Sequence, residues 1–273
     1  MRIALCQIPV SSDAGVNLGR VRDALGEAAA GGADLAVFPE AALVRFGSDL
    51  RAAAEPLDGP FCSAVAAACA TARVAAVLGT FEPAPDGRVY NTAVAFSADG
   101  SLAASYRKLH LFDAFSQRES DLVAPGSDVV LTPLAGTAVG MQICYDIRFP
   151  ELTRALAAGG ASLVTVSAAW QAGTFKEEHW VTLLRARAIE NTVWIAAVGQ
   201  VPDLDEKPTR APTGIGRSLL IDPLGVVRAD LGPTPGVTVA EADLSLVDSV
   251  GETLPSLANR REDVFGLTAR VRV

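Results

Sequence analysis

The stretches A29-A-G-G-A-D-L35 and A157-A-G-G-A-S-L163 read almost alike, residue for residue. In each, a helical pattern stops at paired glycines and a buried strand begins near the alanine that follows. Leu18, Val21, Leu25 and Ala28 recur at helical spacing before the first pair, and a helix follows Pro150 before the second. Chance is one explanation, because alanine and glycine are common in this chain; two related halves is the other. If the halves are related, Glu40 corresponds to Ala168. Segment Ser167–Gln171 then sits at the same end of the sheets as Glu40 and forms pocket wall, with Trp170 pointing in or near.

Outward from these turns, apolar runs alternate with helical patterns. The first half reads as strands Arg2–Ile8, Leu35–Phe38, Val74–Gly79, Val89–Ser97 and Leu102–Arg107, with a second helix opening at Asp58-Gly59-Pro60. Asp86-Gly87 and Asp99-Gly100 supply the turns between the last three. The second half reads as strand Thr137–Cys144, strand Ser162–Ser167, helix Glu177–Asn191 and strand Val193–Gly199. Ser218–Ile221, Val226–Leu231 and Val237–Ala242 then read as a closing meander. The consecutive strands after Val74 and Ser218 weigh against a single parallel sheet. The expected architecture is α/β: two sheets packed face to face with helices outside, a four-layer αββα sandwich.

Half of the residues are apolar and they are spread from end to end, so a large core is feasible. No apolar stretch approaches the ~20 residues that a membrane-spanning helix needs. The formal charge of −8 comes with no long basic run, which argues against a nucleic-acid surface. The N-terminus M1-R-I-A-L-C-Q-I8 reads as a strand and not as a signal peptide, so the expected location is cytoplasmic. Cys6, Cys62, Cys69 and Cys144 match no metal-binding spacing. Cys62 and Cys69 on one helix would lie ~10 Å apart, too far for a disulfide.

Three short stretches seat a reactive side chain beside an apolar run: Glu40 in V37-F-P-E-A41, Lys108 in Y106-R-K-L-H-L-F112 and Cys144 in I143-C-Y-D-I-R-F149. A base, a cation and a thiol are the parts needed to hydrolyse an amide through a thioester. Each residue alone has a plainer reading: a packed core cysteine, a solvated loop glutamate, a surface lysine. Their common position at strand ends argues for chemistry. Cys144 precedes a turn and a helix, whose N–H dipoles would favour a thiolate. Pro39 forces the chain out of its sheet just before Glu40. Alternation sends Lys108 and Arg107 to opposite faces, leaving Arg107 as the surface residue. His110, two residues beyond Lys108, either lines the site or supports it by packing. With only His110 and His179 present, a metal held by imidazoles is disfavoured.

These three ordered motifs resemble those of the nitrilase superfamily of carbon–nitrogen hydrolases, over essentially the whole chain. The resemblance implies a Glu40–Lys108–Cys144 triad and places a second active-site glutamate on Glu119, in R118-E-S-D121. It implies one domain over residues 1–273, no cofactor, and a homodimer or larger assembly. C144-Y-D-I-R-F149 and H110-L-F-D113 look like the Nit branch of ω-amidases and deaminated-glutathione amidases. That implies a small amide bearing a carboxylate as substrate, with water as the second reactant. A nitrilase, an aliphatic amidase or an N-carbamoyl amino-acid hydrolase would share the chemistry, and a non-catalytic protein retaining the fold is the rival from another class. Arg148 is the candidate for the substrate carboxylate, against an ion pair with Asp146 or Glu151. Tyr145, Trp170 and His110 complete the expected substrate-binding set. The loop A114-F-S-Q-R118 is shorter than in Nit relatives. The tail Leu254–Val273, with Arg260, Arg261, Arg270 and Arg272, either contacts a partner subunit or faces solvent.

Overall fold

Strand β1 (Arg2–Gln7) opens the chain, and helix α1 (Ala14–Ala30) follows, capped by the Asp13 carboxylate on the Gly15 and Val16 amides. Strand β2 (Leu35–Val37), helix α2 (Leu50–Ala53), helix α3 (Pro60–Ala72) and strands β3 (Ala75–Pro83), β4 (Val89–Phe96) and β5 (Leu102–Arg107) complete the first half. The second half runs β6 (Val129–Leu134), β7 (Thr137–Ile143), α4 (Pro150–Ala158), β8 (Leu163–Ala168), α5 (Lys176–Asn191), β9 (Trp194–Gly199), β10 (Leu219–Ile221) and β11 (Val227–Asp230). Strand β12 (Gly236–Glu241), helices α6 (Ser245–Thr253) and α7 (Glu262–Phe265) and the short strand β13 (Val271–Arg272) close it. The computed structural model describes residues 1–207, 209–265 and 271–272. Arg270, named among the basic residues of the tail, lies outside the described residues; Arg261 pairs with Asp263 at 2.8 Å.

Two sheets form, in the orders β12-β1-β2-β3-β4-β5 and β11-β10-β9-β8-β7-β6-β13. In each, three central strands run parallel, as β1-β2-β3 and β7-β8-β9. Alternation along the strands of the first sheet builds two cores. Ala4, Cys6, Ala36, Phe38, Ala76 and Leu78 pack outward beneath α1 and α3, against Val21, Leu25, Phe61 and Val65. Leu5, Leu35, Val37 and Val77 point the other way and meet Val139, Met141 and Ile143 of the second sheet. Helices α4 and α5 cover that sheet's far side. The result is the αββα sandwich expected from the sequence.

One expectation is corrected. Ser218–Ala242 does not form a single meander: β10 and β11 pair antiparallel in the second sheet, while β12 crosses over and pairs antiparallel with β1, Arg2 opposite Glu241. Strand periodicity sets which side chains face the core but carries no label for the neighbouring strand. Strand β6 was not among the expected strands; it pairs antiparallel with β7 and tolerates Pro133 opposite Ala138.

Candidate active site

Glu40 is positioned by two backbones. Beyond the short β2, the chain wraps around Gly79 of β3: the Gly79 amide donates to the Pro39 carbonyl (3.0 Å) and the Ala42 amide donates to the Gly79 carbonyl (2.9 Å). A Cβ on Gly79 would lie 2.4 Å from the Ala41 nitrogen and 2.7 Å from the Glu40 Cα, so this close approach requires glycine. The buried Glu40 carboxylate then accepts from Lys108 Nζ (3.0 Å) and Asn91 Nδ2 (2.8 Å) on Oε1, and from the Ala169 amide (2.7 Å) on Oε2. Gln200 Nε2 donates to its backbone carbonyl at 2.6 Å.

Lys108 leaves the end of β5 with its amide on the Asn91 carbonyl of β4 (2.9 Å). Its neighbour Arg107 points the other way, onto Glu82 at 2.9 Å and over the Tyr90 ring. The Lys108 ammonium is buried and also meets Glu119, at 2.9 and 3.1 Å. Burial alone would pull its pKa down; the Glu119 and Glu40 carboxylates outweigh that and hold it well above the usual lysine range. Glu119 is fixed in turn by the Phe112 amide (2.6 Å) and by Asn91 Nδ2 (3.0 Å).

Cys144 comes from the facing sheet. It follows β7 with φ of 46°, a left-handed conformation uncommon for a side-chain-bearing residue, and starts a short 3-10 turn, Cys144–Arg148. Asp146 ties this turn to the Lys108 segment. Its carboxylate accepts from the Ile143 amide (2.9 Å), the Tyr106 hydroxyl (2.7 Å) and the His110 amide (3.1 Å), and it contacts His110 Nδ1 at 2.8 Å. The expected thiolate is corrected here. Burial, then the Glu40 carboxylate, push the Cys144 thiol well above its ordinary range against the opposing pull of Lys108. The five-residue turn offers too little dipole to reverse that. Cys62 and Cys69 are likewise pushed up to about 12, chiefly by burial. Cys144 differs from them in lining the same cavity as Glu40, Lys108 and Glu119.

That cavity, about 370 Å³, is floored by Glu40, Lys108, Glu119 and Cys144 and walled by Tyr145, Arg148 and Trp170. Arg148 makes no ion pair with Asp146 or Glu151; its guanidinium lies 4.8 Å from the Trp170 ring centre. His110 lies outside the cavity lining, stacked on Phe149 with ring centres 3.8 Å apart. Residues that the sequence did not single out are also here. Asn91 bridges both glutamates, and its signal was a pair of polar residues, Asn91 and Thr92, inside an apolar strand. Lys176, at the start of α5, lines the cavity too; nothing in its local sequence marks it. Among the described residues, no group of three or more His, Cys, Asp or Glu side chains is arranged to hold a metal ion. No helix among them is long and apolar enough to cross a membrane.

Residues 2–252 match the family model described as carbon-nitrogen hydrolase. The chain belongs to that family. It is an enzyme that hydrolyses carbon–nitrogen bonds. A Mycobacterium tuberculosis protein named hydrolase Rv0480c is 42% identical, covering 97% of each chain. The deaminated glutathione amidase of Escherichia coli O157:H7 is 36% identical, covering 96% of this chain and 97% of its own. Among solved structures, the nitrilase-superfamily amidase of Nesterenkonia AN1 superposes with a TM-score of 0.82 at 26% identity, covering 97% of this chain and 96% of that one. A mutant of that amidase carries the acetamide moiety of fluoroacetamide added covalently at its active site cysteine.

Proposed function

We propose that this carbon–nitrogen hydrolase is an amidase that works through a thioester on Cys144, with Glu40 as base, Lys108 as electrophilic cation and Glu119 as the residue that positions Lys108. The observation that carries this reading is the buried Glu40–Lys108–Glu119 cluster facing an accessible thiol across one cavity. Because the thiol rests protonated, a base must act with the attack. Glu40 takes the thiol proton as Sγ adds to the amide carbon. The Lys108 ammonium and the Tyr145 backbone N–H hold the oxyanion. Glu40 then passes its proton to the leaving nitrogen as the C–N bond breaks, giving a thioester. Water attacks the thioester, Glu40 accepts the water's proton, and the carboxylic acid departs as the thiol is restored.

The substrate class on this reading is a small amide bearing a carboxylate, either an ω-amide that releases ammonia or deaminated glutathione. Arg148 supports it: a cavity-facing guanidinium with no carboxylate partner among the described residues fits a substrate carboxylate. The amidase relatives also support it. The same reading makes residues 1–273 one catalytic domain, cytoplasmic and homodimeric or larger. Product release from α-ketoglutaramate, deaminated glutathione, aliphatic amides, nitriles and N-carbamoyl amino acids tests it, with Cys144→Ala as control. Turnover of an acidic amide, lost in Cys144→Ala, is the expected result. Preference for a nitrile or a carbamoyl compound would overturn the substrate class, and turnover surviving in Cys144→Ala would overturn the mechanism.

A further inference from the structure

The thioester chemistry uses Lys108 and the carboxylate reading uses Arg148, which leaves one cavity cation without a task. Lys176 is 6% exposed and lines the cavity. Its Nζ lies 3.8 Å from the centre of the Phe115 ring, 5.2 Å from Phe112 and 5.8 Å from Trp170. Trp170 Nε1 donates to the Lys176 carbonyl at 2.7 Å, so the ring that flanks Arg148 also fixes the Lys176 backbone. Aromatic faces attract a cation but bring no counter-charge. Burial, and then the repulsion of the Arg148 guanidinium, lower the Lys176 pKa.

The carboxylates on the cavity floor are already engaged by Lys108, and the rim cation Arg118 pairs with Asp121 at 3.3 Å. Among the described residues, Arg148 and Lys176 therefore face the cavity as two positive charges with no carboxylate paired to them. A substrate with a single carboxylate would neutralise one and leave the other desolvated, which is unfavourable. Their different settings, Arg148 against Trp170 and Lys176 over Phe115, separate them as two seats.

We propose that Lys176 is a second anion-binding residue and that this enzyme selects amides carrying two negative groups, one held by Arg148 and the other by Lys176. The proposal rests on the amidase reading above for the identity of the reacting group, but the anion seat is testable without turnover. The probes are N-glutarylglycine, an amide with a carboxylate at each end, and glutaramate, which keeps the acyl part with one carboxylate. Calorimetric binding to Cys144→Ala is compared with binding to the same protein carrying Lys176→Met or Lys176→Arg, and Lys176→Gln replaces the methionine variant if that does not fold. The expected result is a preference for the dianion that falls about tenfold or more in Lys176→Met and returns in Lys176→Arg. No preference for the dianion, equal losses on both probes, or no recovery with arginine would overturn the proposal. Turnover by the unmodified enzyme is read separately. A Lys176-dependent dianion site with no amide hydrolysed keeps the anion seat and rejects the amidase reading, whereas turnover without dependence on Lys176 does the reverse.

Discussion

The turns that end α1 and α4 make the same hydrogen bonds. Gly31, Gly32 and Ala33 donate to Glu27, Ala29 and Ala28; Gly159, Gly160 and Ala161 donate to Ala155, Ala157 and Leu156. Gly32 and Gly160 both take positive φ, 69° and 100°. The strands that follow begin at matching leucines, lie at the centres of their sheets and approach each other at their C-terminal ends across the interface, where Ser167 Oγ donates to the Phe38 carbonyl at 2.8 Å. Their ends then diverge. The first half leaves its sheet at Pro39 and delivers a carboxylate; the second continues through Ala168 and delivers the Ala169 amide that holds that carboxylate at 2.7 Å. The same turn and strand, present in both halves, end in a carboxylate on one side and the amide that clamps it on the other. Turn and strand are set by the repeated residues, and the chemistry by the few that differ.

The largest effect should come from neutralising the residue that distinguishes the first half. Glu40→Gln is expected to lower kcat by about 10²–10⁴-fold, the usual worth of a general base. The thiol should move with it. The Glu40 carboxylate raises the Cys144 pKa by disfavouring a second negative charge, so removing that charge must let the thiolate form at lower pH. A titration of thiolate absorbance in both proteins checks this, and a shift to higher pH in Glu40→Gln would contradict the charge arrangement.

Breaking the clamp tests the second half. Ala169→Pro removes the amide that holds Oε2, and a lost hydrogen bond to a charged group should lower kcat/KM by ~10–100-fold while Glu40 remains. Unchanged kcat/KM would mean that Asn91 and Lys108 position Glu40 unaided. The smallest effect should fall on the shared turns. Gly32→Ala and Gly160→Ala should each lower stability by about 1–2 kcal/mol, the cost of a left-handed residue with a Cβ, with kcat nearly unchanged. Denaturant melts measure both; a large loss in one variant alone would show that the two turns are not equivalent.

Much of this was legible in the sequence. The Gly-Gly turns, the alternating strands and Pro39 before Glu40 are local signals, and they led to the sandwich and to Trp170 in the cavity wall. Glu40, Lys108, Glu119 and Cys144 were recognisable from their motifs, and the structure brings them to one cavity floor. What stayed hidden depends on contacts between distant segments. The crossing of β12 to β1 is set by pairing that periodicity does not encode. The neutral thiol follows from burial beside Glu40, 104 positions earlier in the chain than Cys144, and Lys176 gains meaning only when α5 carries it against Trp170 and Phe115.

The central claim is a thioester on Cys144 that Glu40 both forms and hydrolyses. Intact-protein mass spectrometry of Glu40→Gln after incubation with an acidic amide tests it most directly, because slowed hydrolysis should let the intermediate accumulate. The account predicts a mass increase equal to the acyl group, located on the peptide bearing Cys144 and absent when Cys144 is also alanine. Acylation at another residue, or unmodified protein that still turns the amide over at the rate of the unsubstituted enzyme, would contradict it.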